Sequence, residues 1–142
     1  MRAFSYTLLI LHFFGLALGL SVSIANVVML GVIAKAAPNE RPALARFLPA
    51  MSRVGRAGLA LLWATGFAML YTRWNGFNGL PWTFHVKLTA VVVLTLAVTY
   101  LASLEKRIAR GDASVGPQMR TFGGLATLSA VTAVIFAVLT FD

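Results

Sequence analysis

AFSYTLLILHFFGLALGLSVSIANVVMLGVIA, Ala3–Ala34, contains no residue with a formal charge. A helix needs about 20 mainly apolar residues, within a range of roughly 17–25, to cross the hydrocarbon of a bilayer. This run exceeds that length and reads as a membrane span. Three further uncharged stretches follow it: Ala57–Thr72, Leu88–Leu104 and Thr121–Phe141. The second and third stretches are shorter. They reach span length through Arg56, Arg73 and Lys87, whose aliphatic stems can snorkel toward the headgroups. Helices are expected near residues 6–33, 52–73, 82–105 and 120–141. None of these runs alternates apolar and polar residues as a barrel strand does. The expected fold is all-α: an integral membrane four-helix bundle, with residues 1–142 forming a single transmembrane helical domain.

Composition agrees. The chain is 59% hydrophobic and 11% charged, against about 25% charged residues in an ordinary soluble domain. Its net charge of +8 would suggest nucleic acid in a soluble protein. Here the basic residues cluster between apolar runs, so topology and anionic lipid explain them better, and no nucleic-acid partner is expected. Cysteine is absent, which excludes disulfides, thiolate metal sites and covalently tethered haem. The four acidic residues, Glu40, Glu105, Asp112 and Asp142, fall in loops or at the ends of runs. A paired-carboxylate hydrolase or a carboxylate proton relay is therefore not expected.

The connections carry turn residues. They are Ala36–Pro42 with two prolines, Asn75–Pro81 rich in Gly and Asn, and Arg110–Pro117. A short interfacial helix is expected within Arg41–Arg53. The first apolar run continues through Val27–Ile33, past the length a cleaved leader needs, so it reads as a span. Nine basic residues flank the first and third connections, from Lys35 to Arg56 and from Lys106 to Arg120, and three lie at the other end. The positive-inside rule places the nine in the cytoplasm. A bacterial inner membrane, with both termini on the non-cytoplasmic side, is the expected setting.

Only two histidines occur, His12 and His85, and each lies inside an apolar run. Ionisable groups at membrane depth are costly and usually mark a site. On the first span His12, Gly15, Gly19, Ser23 and Asn26 share one helical face, and Gly15 and Gly19 permit close helix approach. On the third span His85, Thr89, Val92 and Thr99 share a face. Lys87 lies about 200° around from His85. It is expected off that face, either snorkelling to the surface or meeting an acidic ligand group. The first and third spans run in the same direction, so the two imidazoles occupy the same half of the bilayer. Turned inward, they would sandwich the iron of haem b, with Arg73, Lys87 and Arg2 near its propionates. The bland alternative is that each imidazole bonds a hydroxyl or a carbonyl across helices.

The order of landmarks resembles the small membrane proteins related to HemJ-type protoporphyrinogen oxidase, a group that includes the CopD copper-resistance membrane domain. The residues carrying the likeness are Ile10–Gly15 (ILHFFG), the basic Arg46–Arg56 entry to a helix containing Leu61–Leu70 (LLWATGFAML), and Trp82–Leu88 (WTFHVKL). The resemblance implies a helical membrane bundle that binds b-type haem and oxidises a porphyrinogen. It makes His12 and His85 candidate haem-iron ligands and Lys87 a candidate catalytic cation. The chain departs from the family pattern at Asn26–Val32 and at Thr99–Leu101, where that pattern carries further histidines, and at Thr121–Gly124. Three functional expectations follow. The first is a haem-binding protein of electron transfer or porphyrin chemistry, with a porphyrin or redox partner. The second is a non-catalytic accessory or scaffold subunit of a larger membrane complex, or a homo-oligomer. The third, a metal-uptake protein, rests on Met29, Met51 and Met69, a residue type that ordinarily fills cores.

Overall fold

The computed structural model describes residues 2–74 and 78–141, excluding the side chains of residues 2–3, 73–74, 109, 113 and 140–141. Four long helices dominate: α1 (Arg2–Lys35), α3 (Phe47–Trp74), α4 (Trp82–Ala109) and α5 (Gly116–Phe141). All four are long and apolar enough to cross a membrane. A short helix, α2 (Arg41–Ala45), links α1 to α3, and a 3-10 turn (Ala113–Val115) precedes α5. No strand occurs among the described residues. Each long helix extends past its uncharged run into the flanking basic residues, because Arg and Lys are good helix formers and their heads reach water. The interfacial helix expected within Arg41–Arg53 is only one turn, and Phe47 already begins α3. Pro49 falls in the first turn of α3, where its missing N–H costs nothing.

The turns form where the sequence supplies their residues. Gly79 and Gly111 adopt positive φ (81° and 91°), a backbone region open to glycine without steric cost. Pro81 caps α4 in an extended conformation. Asp112 binds the third connection together: its carboxylate accepts from the Ser114 amide and hydroxyl and pairs with Arg107.

The helices close an up-and-down ring in which α1 packs on α3 and α5, and α4 packs on α5. The diagonal pair α1 and α4 makes no close backbone contact among the described residues. Alanines set the α4–α5 seam, with Ala97, Ala126 and Ala130 buried beside Leu94 and Leu59. Small side chains let helices approach closely in lipid, where the hydrophobic effect cannot drive association. The α1–α3 seam is tighter still. A methyl on Gly15 would sit 2.8 Å from the Gly58 carbonyl oxygen, and one on Gly58 would sit 2.9 Å from the Gly15 carbonyl. Gly55 admits Val22 in the same way, at 3.0 Å.

One expectation on this seam is met by the backbone alone. Gly19 was expected to press against a neighbouring helix with Gly15, but a methyl on Gly19 would meet nothing within 4 Å. Its backbone does lie against α3, since a methyl on Gly58 would sit 3.2 Å from the Gly19 nitrogen. Its open side looks into a cleft.

By contrast α3 and α4 barely touch through their backbones. Long side chains bridge them. Trp63 Nε1 donates to Thr95 Oγ1 at 3.0 Å, and Ser52 Oγ donates to a Glu105 oxygen at 2.6 Å. Large apolar side chains such as Phe14, Leu96, Leu128 and Val138 are exposed on the outside. That outer surface is the one a lipid-embedded bundle presents.

Candidate functional site

Thr65 is one of two buried polar residues described on α3, with Ser52, and is 4% exposed. Its hydroxyl lies 2.6 Å from the Leu61 carbonyl oxygen, one turn back, and donates its single hydrogen there. The same Oγ1 lies 2.9 Å from His12 Nδ1. With its hydrogen committed to Leu61, Thr65 accepts from His12. In that tautomer the imidazole carries its proton on Nδ1 and Nε2 is the ring's acceptor, while the ring also bonds the Leu62 carbonyl. A second partner on one ring nitrogen, fixing the tautomer and exposing the other, is the arrangement of histidines that ligate metals or accept protons. The ring lies over Gly66, where a methyl would make ordinary contact with the Cε1 atom of His12 at 3.5 Å.

The cleft beside His12 has a volume of about 100 Å³ and is lined by α1, α3 and α4, including Trp63, Phe67, Phe84 and Lys87. Lys87 is half-buried and close enough to act electrostatically on the His12 ring. The site is thus an imidazole with one acceptor nitrogen and a lysine, in walls of leucine and aromatic rings. It suits an acidic group on an apolar molecule: the Lys87 ammonium supplies the charge for a carboxylate, and the imidazole acceptor takes an O–H or N–H donor of the same molecule.

On α1 the inward face is the expected one. His12 is half-buried and Gly15 is buried, with Ser23 and Asn26 turned inward beside them. On α4 the shared face exists, but its direction is the reverse of the expectation. His85, Thr89, Val92 and Thr99 are all exposed. The His85 ring meets its neighbour Phe84 edge-on at 6.4 Å, and its carbonyl accepts from Thr89. The expectation that His85 faces the interior opposite His12 is therefore corrected. The inward stripe is Lys87, Ala90, Leu94, Ala97, Leu101 and Leu104. The physical reason is the helical angle itself. Residues 85 and 87 lie about 200° apart, so whichever turns inward sends the other out. Packing against α5 needs the alanines, and Ala90 and Ala97 lie on the Lys87 side. Those alanines were the legible signal. The outward threonines are no obstacle, because Thr89 and Thr99 spend their hydroxyls on their own helix.

Arg73 and Arg2 were expected near propionates, and both side chains lie outside the described ones. Trp82 is 70% exposed at the start of α4 and meets Phe136 of α5 edge-on. No group of three His, Cys, Asp or Glu suited to a metal ion occurs among the described residues. The haem sandwich does not fit this geometry, since one of its two histidines points outward. A cleft of about 100 Å³ is also well below the roughly 300–1,000 Å³ of pockets that enclose drug-sized ligands.

Fold and site together define the class: a multi-pass helical membrane protein with a basic His–Lys cleft inside the bundle. Compared with family models, with curated proteins and with solved structures, the chain matches none.

Proposed function

We propose that the protein binds, within the bilayer, an apolar ligand bearing an acidic group, and that the His12–Thr65–Lys87 cleft engages that group. One observation carries the reading. Two basic side chains far apart in sequence, His12 and Lys87, line one apolar cleft inside the bundle. Keeping a lysine ammonium and an imidazole at membrane depth is costly; an anion offsets the charge of Lys87, and a donor on the same ligand fills the imidazole acceptor. Porphyrins belong to this ligand class, and the resemblance to HemJ-type proteins singles them out. Their carboxylates suit Lys87, and an iron or a ring N–H suits the acceptor Nε2 of His12. The cleft takes the acidic edge of such a molecule, and His85 has no part in it. The loops around α2 and before α5 face the cytoplasm on this reading, since nine basic residues flank them.

The test uses the full-length protein in mild detergent. Its visible spectrum is recorded, and it is then titrated with protoporphyrin as the free diacid and as the dimethyl ester. The diacid should bind about tenfold more tightly than the ester, the effect of about 1.4 kcal/mol of charge-assisted bonding. Lys87→Gln should erase that preference, His12→Ala should remove any Soret band, and His85→Ala should behave as wild type. Equal binding of diacid and ester by wild type would refute the proposal and favour an accessory subunit. Loss of the Soret band in His85→Ala alone would return the site to His85.

A further inference from the structure

A second and larger cleft than that beside His12 lies toward the α2 end of the bundle. Its volume is about 470 Å³ and all four long helices line it, which places it in the size range of ligand pockets. Leu62 is a wall shared with the His12 cleft. The deep walls are apolar, with Leu59, Leu94 and Val98 among them. The charged groups of the lining are Lys35 of α1, Glu105 of α4 and Arg120 of α5. Arg56 stands close enough to Glu105 to act on it electrostatically, and Glu105 already accepts from Ser52. Two cations of the lining thus face one carboxylate, which already accepts from Ser52 and has Arg56 near it.

Two further features mark this cleft as open. Methyl groups built on Gly19, Gly31, Gly123 and Gly124 would meet nothing within 4 Å, although all four glycines line it. Asn26 faces the same cleft, and its Oδ1 is buried with no hydrogen-bond partner among the described residues. A buried unpaired acceptor costs free energy until a donor arrives.

We propose that this cleft is a second binding site, for a single acyl chain carrying an anionic head. The chain lies against Leu59, Leu94 and Val98, and the head lies at Lys35 and Arg120. Asn26 accepts from a hydroxyl or a water carried in with the ligand. The head is a carboxylate or a phosphate, from a free fatty acid or from an anionic phospholipid of the surrounding leaflet. This site is independent of the His12 cleft.

Photolabelling of the full chain in phosphatidylcholine vesicles tests it. The probes are a diazirine fatty acid, its methyl ester, diazirine phosphatidylglycerol and diazirine phosphatidylcholine, with adducts mapped by peptide mass spectrometry. The fatty acid, the phosphatidylglycerol or both should label cleft residues such as Val98 and Met119 about tenfold more than their uncharged or zwitterionic counterparts. Labelling by the acid alone identifies a free acid as the source, and labelling by phosphatidylglycerol alone identifies lipid. Gly123→Leu fills open space and should cut cleft labelling about tenfold. The surface double variant Lys35→Gln, Arg120→Gln should do the same without touching the packing. His12→Ala and Lys87→Gln should leave it unchanged, so this result stands or falls apart from the porphyrin titration. Adducts confined to outward residues such as Leu96 and Leu128, or equal labelling by acid and methyl ester and by both phospholipids, would overturn the proposal.

Discussion

Alanine at Gly15 and alanine at Gly19 should have opposite effects on stability, although the two glycines sit one turn apart on the same helix. The Gly15 methyl would lie 2.8 Å from the Gly58 oxygen and 3.1 Å from the Leu62 nitrogen. Both are backbone atoms, so no rotamer relieves the clash. Ordinary contact begins near 3.4 Å, so α1 must withdraw from α3 by about 0.6 Å, the difference between 3.4 and 2.8 Å. A gap of that size forfeits roughly a quarter to a half of the dispersion energy at the other contacts of the seam. Those contacts include Val22 on Gly55 and Leu18 on Gly58. Overpacking of this kind costs about 1–3 kcal/mol, offset in part by about 1 kcal/mol of helix propensity gained over glycine. Gly19→Ala keeps the propensity gain and meets no atom. The two variants should differ by about 2 kcal/mol, with Gly15→Ala the weaker. Unfolding in mixed micelles of rising SDS fraction, followed by far-UV circular dichroism, measures the difference. Equal midpoints, or a Gly15→Ala protein more stable than wild type, would refute the backbone-contact reading of the seam.

Two other outcomes are expected. The Asp112 carboxyl is held below the usual range by the Ser114 hydroxyl and then by Arg107. Its ordering of the third connection should therefore be complete above the unfolded value of about 3.9 and lost as pH falls through the lower folded value. Hydrogen exchange at the Ser114 amide should show protection that fades only at acid pH in wild type and is absent at every pH in Asp112→Ala. Reporter fusions after Pro38 and after Asp112 should both read cytoplasmic, and a periplasmic reading at either point would reverse the orientation.

The His12 site was half legible. Its face on α1 followed from spacing, because Gly15, Gly19, Ser23 and Asn26 repeat at helical intervals with it. Thr65 was visible as part of a stripe on α3, yet nothing in the sequence named it as the partner of His12. That bond spans two helices, and only their depth and rotation bring Oγ1 within 2.9 Å of Nδ1. The α4 error had a related cause. His85 drew attention as the rarer residue, while the packing demand lay with Ala90 and Ala97 on the opposite face. A histidine near the start of a span can remain outward because the headgroup region tolerates polar groups.

The sequence by itself determined that four helices cross the membrane, and roughly where each begins and ends. Apolar length and the absence of charge are properties of consecutive residues, and the bilayer reads them one segment at a time. It also determined which residues share a face, because the helical period is local. The tertiary structure decided which face turns inward. It separated the glycines that touch, Gly15 and Gly58, from those that line open space, Gly19, Gly123 and Gly124. It also chose Lys87 over His85 as the companion of His12. Those outcomes depend on the rotation of each helix about its own axis. In lipid, where both faces of a span are apolar, that rotation is set by close packing between helices.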